Sequence, residues 1–227
     1  MPSSGAEAGD SPARILIVDD HPIVREGLTL LLAGQPDLTV CAQAGDAAEA
    51  LRLVEAARPD LIIIDISLKC GNGIDLIKRI KARDPSARML VSSMHDEALY
   101  AERALHAGAA GYINKQEATR KIVDAIRCVL GGGVYLSEPM AGRMLRRAVG
   151  GGERPGRDPI ESLSDRELHV FELIGRGLST KDIAATLHLS GKTVETYRDR
   201  LRKKLDFKDG PEMTRHAIAW VLEDRQP

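Results

Sequence analysis

Three aspartates stand where apolar stretches of the sequence end. Asp19 and Asp20 follow the apolar residues 15–18, and Asp65 follows the unbroken apolar run at residues 61–64. Such a run is typical of a strand buried on both faces of a parallel sheet, where ligands bind beyond the carboxyl ends of the strands. The three carboxylates are therefore predicted to converge at one edge of a sheet. Taken alone, Asp65 has the alternative interpretation of a residue that caps the following turn.

Three converging carboxylates require a partner of opposite charge. Like charges this close are unfavourable unless one is protonated or a cation is bound, and rigidly held oxygen ligands suit Mg²⁺. Ser93 and Lys115 follow two further predicted strands, so they should reach the same edge. A cation, an ammonium and a hydroxyl together can stabilise a phosphoryl group carried on a carboxylate. Asp65 is the predicted nucleophile.

Alternating strands and helices supply the scaffold for this site. The patterns predict strands at residues 15–18, 38–44, 61–65, 89–92 and 111–114, and helices at residues 22–33, 46–57, 73–83, 97–107 and 117–130. Because crossovers between neighbouring parallel strands are right-handed, this order predicts a doubly wound α/β domain. We place a five-stranded, flavodoxin-like domain over residues 13–137.

The remaining segments are of three kinds. Residues 1–12 contain no apolar stretch and are predicted to be a disordered tail. Residues 138–160 are predicted to be a helical stub followed by a glycine-rich linker. Beyond it the strand pattern disappears, and helices are predicted at residues 165–174, 180–187, 192–205 and 212–222. A small all-α domain is therefore expected over residues 161–227.

The bulk composition excludes several classes of protein. The formal net charge of the 227 residues is −1, so any binding to nucleic acid must come from a local basic patch. The three cysteines are odd in number and have no metal-ligand spacing, which favours a reducing compartment. No apolar run approaches the roughly 20 residues needed to cross a bilayer. We expect a cytoplasmic protein without a membrane partner.

The order of Asp-Asp, Asp, Ser and Lys on a five-stranded α/β domain resembles the receiver domain of bacterial response regulators. This resemblance implies that a sensor histidine kinase phosphorylates Asp65. It also implies that Asp20, Asp65 and the Ser67 backbone carbonyl are ligands of Mg²⁺. Asp19 is implied to act through a water molecule. The switch residues implied by the resemblance are Ser93, Tyr112 and Lys115.

The second domain resembles the LuxR-type DNA-binding domain of the NarL/FixJ class of response regulators. The motifs are Leu163-Ser164-Asp165-Arg166-Glu167, Gly177-Leu178-Ser179, Asp182-Ile183-Ala184 and the run from Ser190 to Thr196. The resemblance implies a helix-turn-helix that docks the helix at residues 192–205 in the major groove of double-stranded promoter DNA.

The helix at residues 192–205 has two distinct faces. Val194, Tyr197, Leu201 and Leu205 form its predicted buried stripe, which leaves another face free for DNA. The predicted DNA-binding residues are Lys192, Thr193, Glu195, Thr196, Arg198, Arg202 and Lys203. Among them the basic residues are expected to contact phosphates, while Glu195 could accept a hydrogen bond from cytosine N4 and so carry specificity.

The resemblance also implies how the two domains communicate. In this family the unphosphorylated receiver often masks the DNA-binding helix, and activation frees the chain to form a homodimer through the last helix, here residues 212–222. RNA polymerase is a further candidate partner. Two alternatives remain: a regulator that works without phosphorylation, and a phosphohydrolase with an aspartyl-phosphate intermediate. The hydrolase commonly needs an acid two residues past its nucleophile, where this chain has Ser67, so we expect no turnover enzyme.

Overall fold

A five-stranded parallel sheet with the strand order β2-β1-β3-β4-β5 forms the first domain. The computed structural model describes residues 11–68, 71–150, 159–187 and 189–223. The strands are β1 Ala13–Val18, β2 Leu38–Ala44, β3 Leu61–Ile64, β4 Met89–Ser93 and β5 Gly111–Asn114. The helices of this part are α1 Pro22–Ala33, α2 Ala47–Ala57, α3 Gly73–Arg83, α4 Glu97–Ala107, α5 Lys115–Leu130 and α6 Glu138–Gly150. The predicted α/β fold is confirmed.

Strand residues alternate between the two faces of the sheet, and each face has its own core. On one face Ile15, Ile17 and Ile63 pack against α1 and α5. On the opposite face Leu16 and Val18 pack against side chains of α2, α3 and α4. Burying each such side chain contributes roughly 1.5–3 kcal/mol, so helices on both faces hold the strand ends in place.

In the first domain, two elements begin two residues earlier than predicted. β1 begins at Ala13, because the sheet continues to pair there with Leu38 of β2. α5 begins at Lys115, two residues earlier than predicted, because the Asn114 side chain accepts a hydrogen bond from the Gln116 backbone N–H and caps the helix. Lys115 is therefore a helix residue. Most of the predicted disordered tail (residues 1–10) and of the predicted linker (residues 151–158) lies outside the described residues.

Four helices follow a short 3-10 turn at Pro159–Ser162 and form the second domain: α7 Asp165–Gly175, α8 Thr180–Leu187, α9 Gly191–Lys204 and α10 Gly210–Glu223. Ser164 and Glu167 form a capping box at the start of α7. Phe171 of α7 packs with its ring centroid 5.7 Å from that of Trp220 in α10. Within the described ranges, no helix is both long enough and apolar enough to cross a membrane.

Helices α7 and α10 approach each other closely at a glycine. A Cβ atom at Gly175 would lie 2.3 Å from the backbone oxygen of Ala217, so no other residue fits there without moving the helices apart. The contact brings the last turn of α7 directly against α10. These two helices therefore form the centre of the second domain.

Candidate functional site

The carboxylates lie at the carboxyl end of the sheet, as predicted. The Asp65 backbone N–H donates to the carbonyl of Val18, which fixes the end of β3 beside the end of β1. The chain then turns so tightly that a Cβ atom at Gly73 would lie 2.3 Å from the Asp65 carbonyl oxygen. Only glycine fits at this close approach, and Gly73 in turn donates to Ile66 at 2.8 Å. The loop after Asp65 is thus held against the start of α3.

Asp19, Asp20 and Asp65 meet at this edge together with His21. One ligand atom from each of the four residues lies within 4.8 Å of the others. Lys115 Nζ bridges two of the carboxylates, at 2.7 Å from Asp19 Oδ2 and 2.7 Å from Asp65 Oδ2. Asp19 and Asp65 are both 3% exposed, so these two carboxylates are shielded from bulk water.

Burial and neighbouring charges shift the pKa values of the central pair. Burial is the largest influence on Asp65, and together with the charge of Asp19 it outweighs Lys115 and raises the pKa of Asp65. For Lys115, burial acts to lower the pKa, but the charges and hydrogen bonds of Asp65 and Asp19 outweigh it and raise the pKa. Further positive charge at this edge would favour the ionised form of Asp65, which is the form able to act as a nucleophile.

The residues present fit a divalent cation. Asp20 Oδ1 is buried and accepts no hydrogen bond from any described residue, although His21 Nδ1 lies 2.8 Å away. Three carboxylates cluster here, and Lys115 pairs with only two of them, so the cluster has an excess of negative charge. Hard oxygen atoms on a rigid scaffold are the ligands that suit Mg²⁺. Asp19, Asp20 and Asp65 are the side chains that would hold it.

The predicted switch residues surround the loop between β4 and α4. Ser93 is fully buried, and its Oγ accepts a hydrogen bond from the backbone N–H of His95 at 3.3 Å. Tyr112 is also buried, and its hydroxyl donates to the backbone carbonyl of His95 at 2.8 Å. Ser67, two residues after Asp65, donates its backbone N–H to Asp65 Oδ1 at 3.3 Å. Ser67 and Lys115 therefore contact Asp65, whereas Ser93 and Tyr112 contact the backbone of His95.

Helix α9 presents the predicted DNA-binding residues at the surface. Val194 and Leu201 are fully buried, while Tyr197 and Leu205 pack against the core, so the predicted buried stripe is confirmed. The charged and polar residues point elsewhere. Lys192, Glu195, Thr196 and Lys203 are exposed, and Thr193, Arg198 and Arg202 are partly exposed.

Several of these surface residues already have partners. The Thr180 hydroxyl of α8 donates to Glu195 Oε1 at 2.7 Å, which ties the two helices together at the residue predicted to read a base. Asp199, a carboxylate on the same face, lies 3.5 Å from Arg202. Thr193 helps to begin the helix, since its backbone N–H donates to the Ser190 side chain.

The two domains contact each other through α7. Asp165 accepts hydrogen bonds from Lys78 of α3 at 2.6 Å and from Arg103 of α4 at 3.0 Å. Arg166 lies 3.3 Å from Asp75 of α3. The expectation that the receiver masks the DNA-binding helix is therefore wrong for this arrangement, because the polar contacts of the receiver are made with α7 and the residues next to its ends, while the α9 face is exposed.

Sequence reasoning missed four residues near the site. His21 belongs to the acid cluster, and its place directly after Asp19-Asp20 was the available signal. His95, Glu172 and Arg176 form a network between the domains next to Ser67. Their sequence positions give no hint of this, because the contacts join loops of the receiver to α7 of the other domain.

Comparison with known proteins identifies both halves of the chain. Residues 15–127 match the family described as the response regulator receiver domain, and residues 161–217 match the LuxR family of bacterial regulatory proteins. The oxygen regulatory protein NreC of Staphylococcus haemolyticus is 34% identical over 215 residues, covering 93% of this chain and 99% of that protein. The transcriptional activator DevR/DosR of Mycobacterium tuberculosis is 37% identical over 197 residues, covering 86% of this chain and 89% of that protein.

Solved structures similar to this chain include other response regulators. A LuxR-family two-component response regulator from an Aurantimonas species is 39% identical with a TM-score of 0.57, covering 61% of this chain and 99% of that one. RcsB from Salmonella enterica serovar Typhimurium, bound to a promoter in the presence of the phosphomimetic BeF3−, is 25% identical with a TM-score of 0.68. That match covers 91% of this chain and 98% of the RcsB chain.

Proposed function

Because the chain belongs to the two-component response regulators that join a receiver domain to a LuxR-type DNA-binding domain, we propose that phosphorylation of Asp65 controls its binding to promoter DNA. The donor is a phosphohistidine of a sensor histidine kinase. The observation that carries the proposal is the bridge of Lys115 between Asp19 and Asp65, beside the unsatisfied oxygen of Asp20. Phosphoryl transfer needs positive charge near the phosphoryl oxygens. Lys115 supplies an ammonium there, and the carboxylates supply ligands for Mg²⁺.

In the proposed transfer, an oxygen of the Asp65 carboxylate attacks the phosphorus atom of the phosphohistidine. The P–N bond breaks, a P–O bond forms, and the imidazole leaves with its electron pair and takes up a proton. Mg²⁺, when bound, would offset charge on the phosphoryl oxygens. Lys115, at 2.7 Å from Asp65 Oδ2, supplies an ammonium for the same oxygens. Ser93 Oγ accepts from the His95 N–H, and its own O–H can donate a hydrogen bond to the phosphoryl oxygens.

DNA binding is assigned to α9 and dimerisation to α10. Between Lys192 and Lys204, α9 carries a concentration of basic residues in a chain whose formal net charge is −1. The exposed phosphate-contacting candidates give general affinity, and Glu195 gives discrimination between bases. On α10, Ile218 is 39% exposed and Leu222 is 59% exposed, which leaves an apolar strip for a second copy of the chain. RNA polymerase is a further proposed partner, and the setting is the cytoplasm.

The alternatives have weaker support. A phosphohydrolase with an aspartyl-phosphate intermediate would need a second acid for turnover, and the position two residues past Asp65 holds Ser67. A regulator that works without phosphorylation would not need Lys115 to be held between buried carboxylates, at the cost of burying those charges. We therefore propose a phosphoryl acceptor and no turnover enzyme.

The test combines phosphorylation with DNA binding. Wild type and Asp65→Asn are incubated with Mg²⁺ and acetyl phosphate, and their affinities for a selected operator are measured by fluorescence anisotropy. We expect the donor to raise the operator affinity of wild type and to leave Asp65→Asn unchanged. Equal affinities of wild type with and without donor, when mass spectrometry shows the phosphoryl group on Asp65, would refute the proposed control.

A further inference from the structure

His21 places a nitrogen atom beside the acid cluster of Asp19, Asp20 and Asp65. Its Nδ1 lies 2.8 Å from Asp20 Oδ1 and 3.1 Å from Asp19 Oδ1. One ligand atom of His21 and one of each aspartate lie within 4.8 Å of one another. The metal site described above uses oxygen ligands alone, so it gives this nitrogen no role.

The backbone holds the imidazole of His21 in this place. His21 is the N-cap residue of α1, and its backbone N–H donates to Asp19 Oδ1 at 2.8 Å. Pro22 then begins the helix with a fixed φ angle. An N-cap side chain commonly accepts a hydrogen bond from the first turn, but His21 makes no such bond. The imidazole is therefore directed at the carboxylates instead of at the start of α1.

A hydrogen bond explains only one of the two contacts of the imidazole. The ring nitrogen has the geometry of a hydrogen bond to Asp19 Oδ1. Asp20 Oδ1 is different, because it has no hydrogen-bond partner among the described residues although the nitrogen is 2.8 Å away and the Asp20 side chain is only 9% exposed. A buried acceptor without a partner costs about 1–3 kcal/mol. A cation that contacts both atoms would remove this cost.

The spacing of the atoms fits one octahedral ion. When ligands surround an ion octahedrally at about 2.1 Å, neighbouring ligand atoms are roughly 3 Å apart. The distances from His21 Nδ1 to the two Oδ1 atoms, 2.8 and 3.1 Å, have this value. Lys115 does not compete for the same atoms, since it contacts Oδ2 of Asp19 and Oδ2 of Asp65. An ion and the ammonium can therefore share the cluster.

We propose that His21 Nδ1 is a direct metal ligand in the acid cluster, and that the site therefore prefers a first-row transition-metal ion such as Mn²⁺ to Mg²⁺. The proposal rests on the metal site of the function proposed above. Mg²⁺ dehydrates reluctantly and takes oxygen ligands, whereas an imidazole nitrogen favours the transition metals. A neutral imidazole also adds a ligand without adding negative charge to the three carboxylates.

The test uses full-length protein and reads the ligand directly. Pulsed electron paramagnetic resonance of the Mn²⁺-loaded wild type should show hyperfine coupling to a bound nitrogen nucleus. His21→Gln removes the imidazole and should lose this coupling. His106→Gln, at an exposed position of α4, is the matched control and should keep it.

Calorimetry measures the preference between the two ions. His21→Gln should reduce the affinity for Mn²⁺ about tenfold or more, since even groups that only support a metal ligand contribute that much. Its affinity for Mg²⁺ should stay within about twofold of wild type, because the oxygen ligands are unchanged. The Mg²⁺ titration also shows that the carboxylate site of the variant is intact.

Three results would overturn the inference and leave the carboxylate site in place. These are Mn²⁺ bound to wild type without nitrogen coupling, an unchanged Mn²⁺ affinity in His21→Gln, and an equal loss of affinity for both ions. Loss of the coupling in His106→Gln would also overturn it, because the nitrogen would then belong to another residue. A wild-type protein that binds neither ion would instead refute the metal site of the proposed function.

Discussion

His169 of α7 should make the second domain sensitive to acid. Its side chain is buried, and its Nδ1 has no hydrogen-bond partner among the described residues. It lies between Asp165 and Glu172 on the stripe of α7 that contacts the receiver. Burial is the main reason that its pKa falls from 6.5 to about 4; Glu172 and Asp75 act to raise the pKa, whereas Arg166 and Arg176 act to lower it.

The direction of the effect follows from where the proton binds. Below pH 6.5 an unfolded chain protonates His169 while the folded chain does not, so the free energy of unfolding falls as the pH falls. The loss ends near pH 4, where the folded histidine also binds a proton. At 1.36 kcal/mol for each tenfold change in proton affinity, the whole loss is roughly 3 kcal/mol, of which about 2 kcal/mol is reached at pH ~5.

The assay uses the one tryptophan of the chain. Trp220 lies in α10 and packs against Phe171 of α7, so its fluorescence reports unfolding of this domain in urea. His169→Gln keeps a polar side chain that does not titrate, and its free energy of unfolding should fall about 2 kcal/mol less than that of wild type between pH ~7 and ~5. His216→Gln, at an exposed position of α10, is the control. Parallel pH profiles for wild type and His169→Gln would refute the reasoning.

Two further variants test the metal and the DNA surface. Asp20→Asn keeps the shape of the side chain but removes a charged ligand. Calorimetry should therefore show that the affinity for Mg²⁺ is reduced about tenfold or more. An unchanged affinity would exclude Asp20 as a ligand. Glu195→Ala should reduce discrimination at one base pair by about 1–3 kcal/mol, whereas the matched variant Lys203→Ala should weaken binding to all sequences and reduce the salt dependence by about one ion. A uniform loss of affinity in Glu195→Ala would contradict its role in specificity.

The fold was predictable because its signals are local. Each of the five segments predicted as a strand became a strand, and each predicted helical stripe became a helix. The positions of the acids then follow from the topology. Because β1 and β3 are parallel neighbours, Asp19 and Asp65 reach the same edge of the sheet. The start of α5 was placed late because Lys115 and Gln116 continue no apolar stripe, and the only signal was the cap residue Asn114.

The contact between the domains was not predictable in the same way. Ser67 and Arg176 are 109 residues apart, and nothing in either local pattern specifies that pairing. Arg176 directly follows the end of α7, a position where an arginine usually faces solvent. The expectation that α9 is the masked helix came from resemblance alone. Which helix contacts the receiver depends on how the folded surfaces of the two domains fit together.

Helix α7 is buried over most of its length, and this limits which domains can be exchanged between this protein and its relatives. Eight consecutive residues of α7, from Glu167 to Ile174, are buried, because α7 packs against α9 and α10 within its own domain and also contacts the receiver. A chimera that joins this receiver to the DNA-binding domain of a relative would keep the two folds yet lose the fit between them. Transplanting the receiver-facing residues Asp165, Glu172 and Arg176 with the receiver would be needed to retain it. The part of this chain that must be transferred as one piece is therefore the receiver together with the residues of α7 that face it.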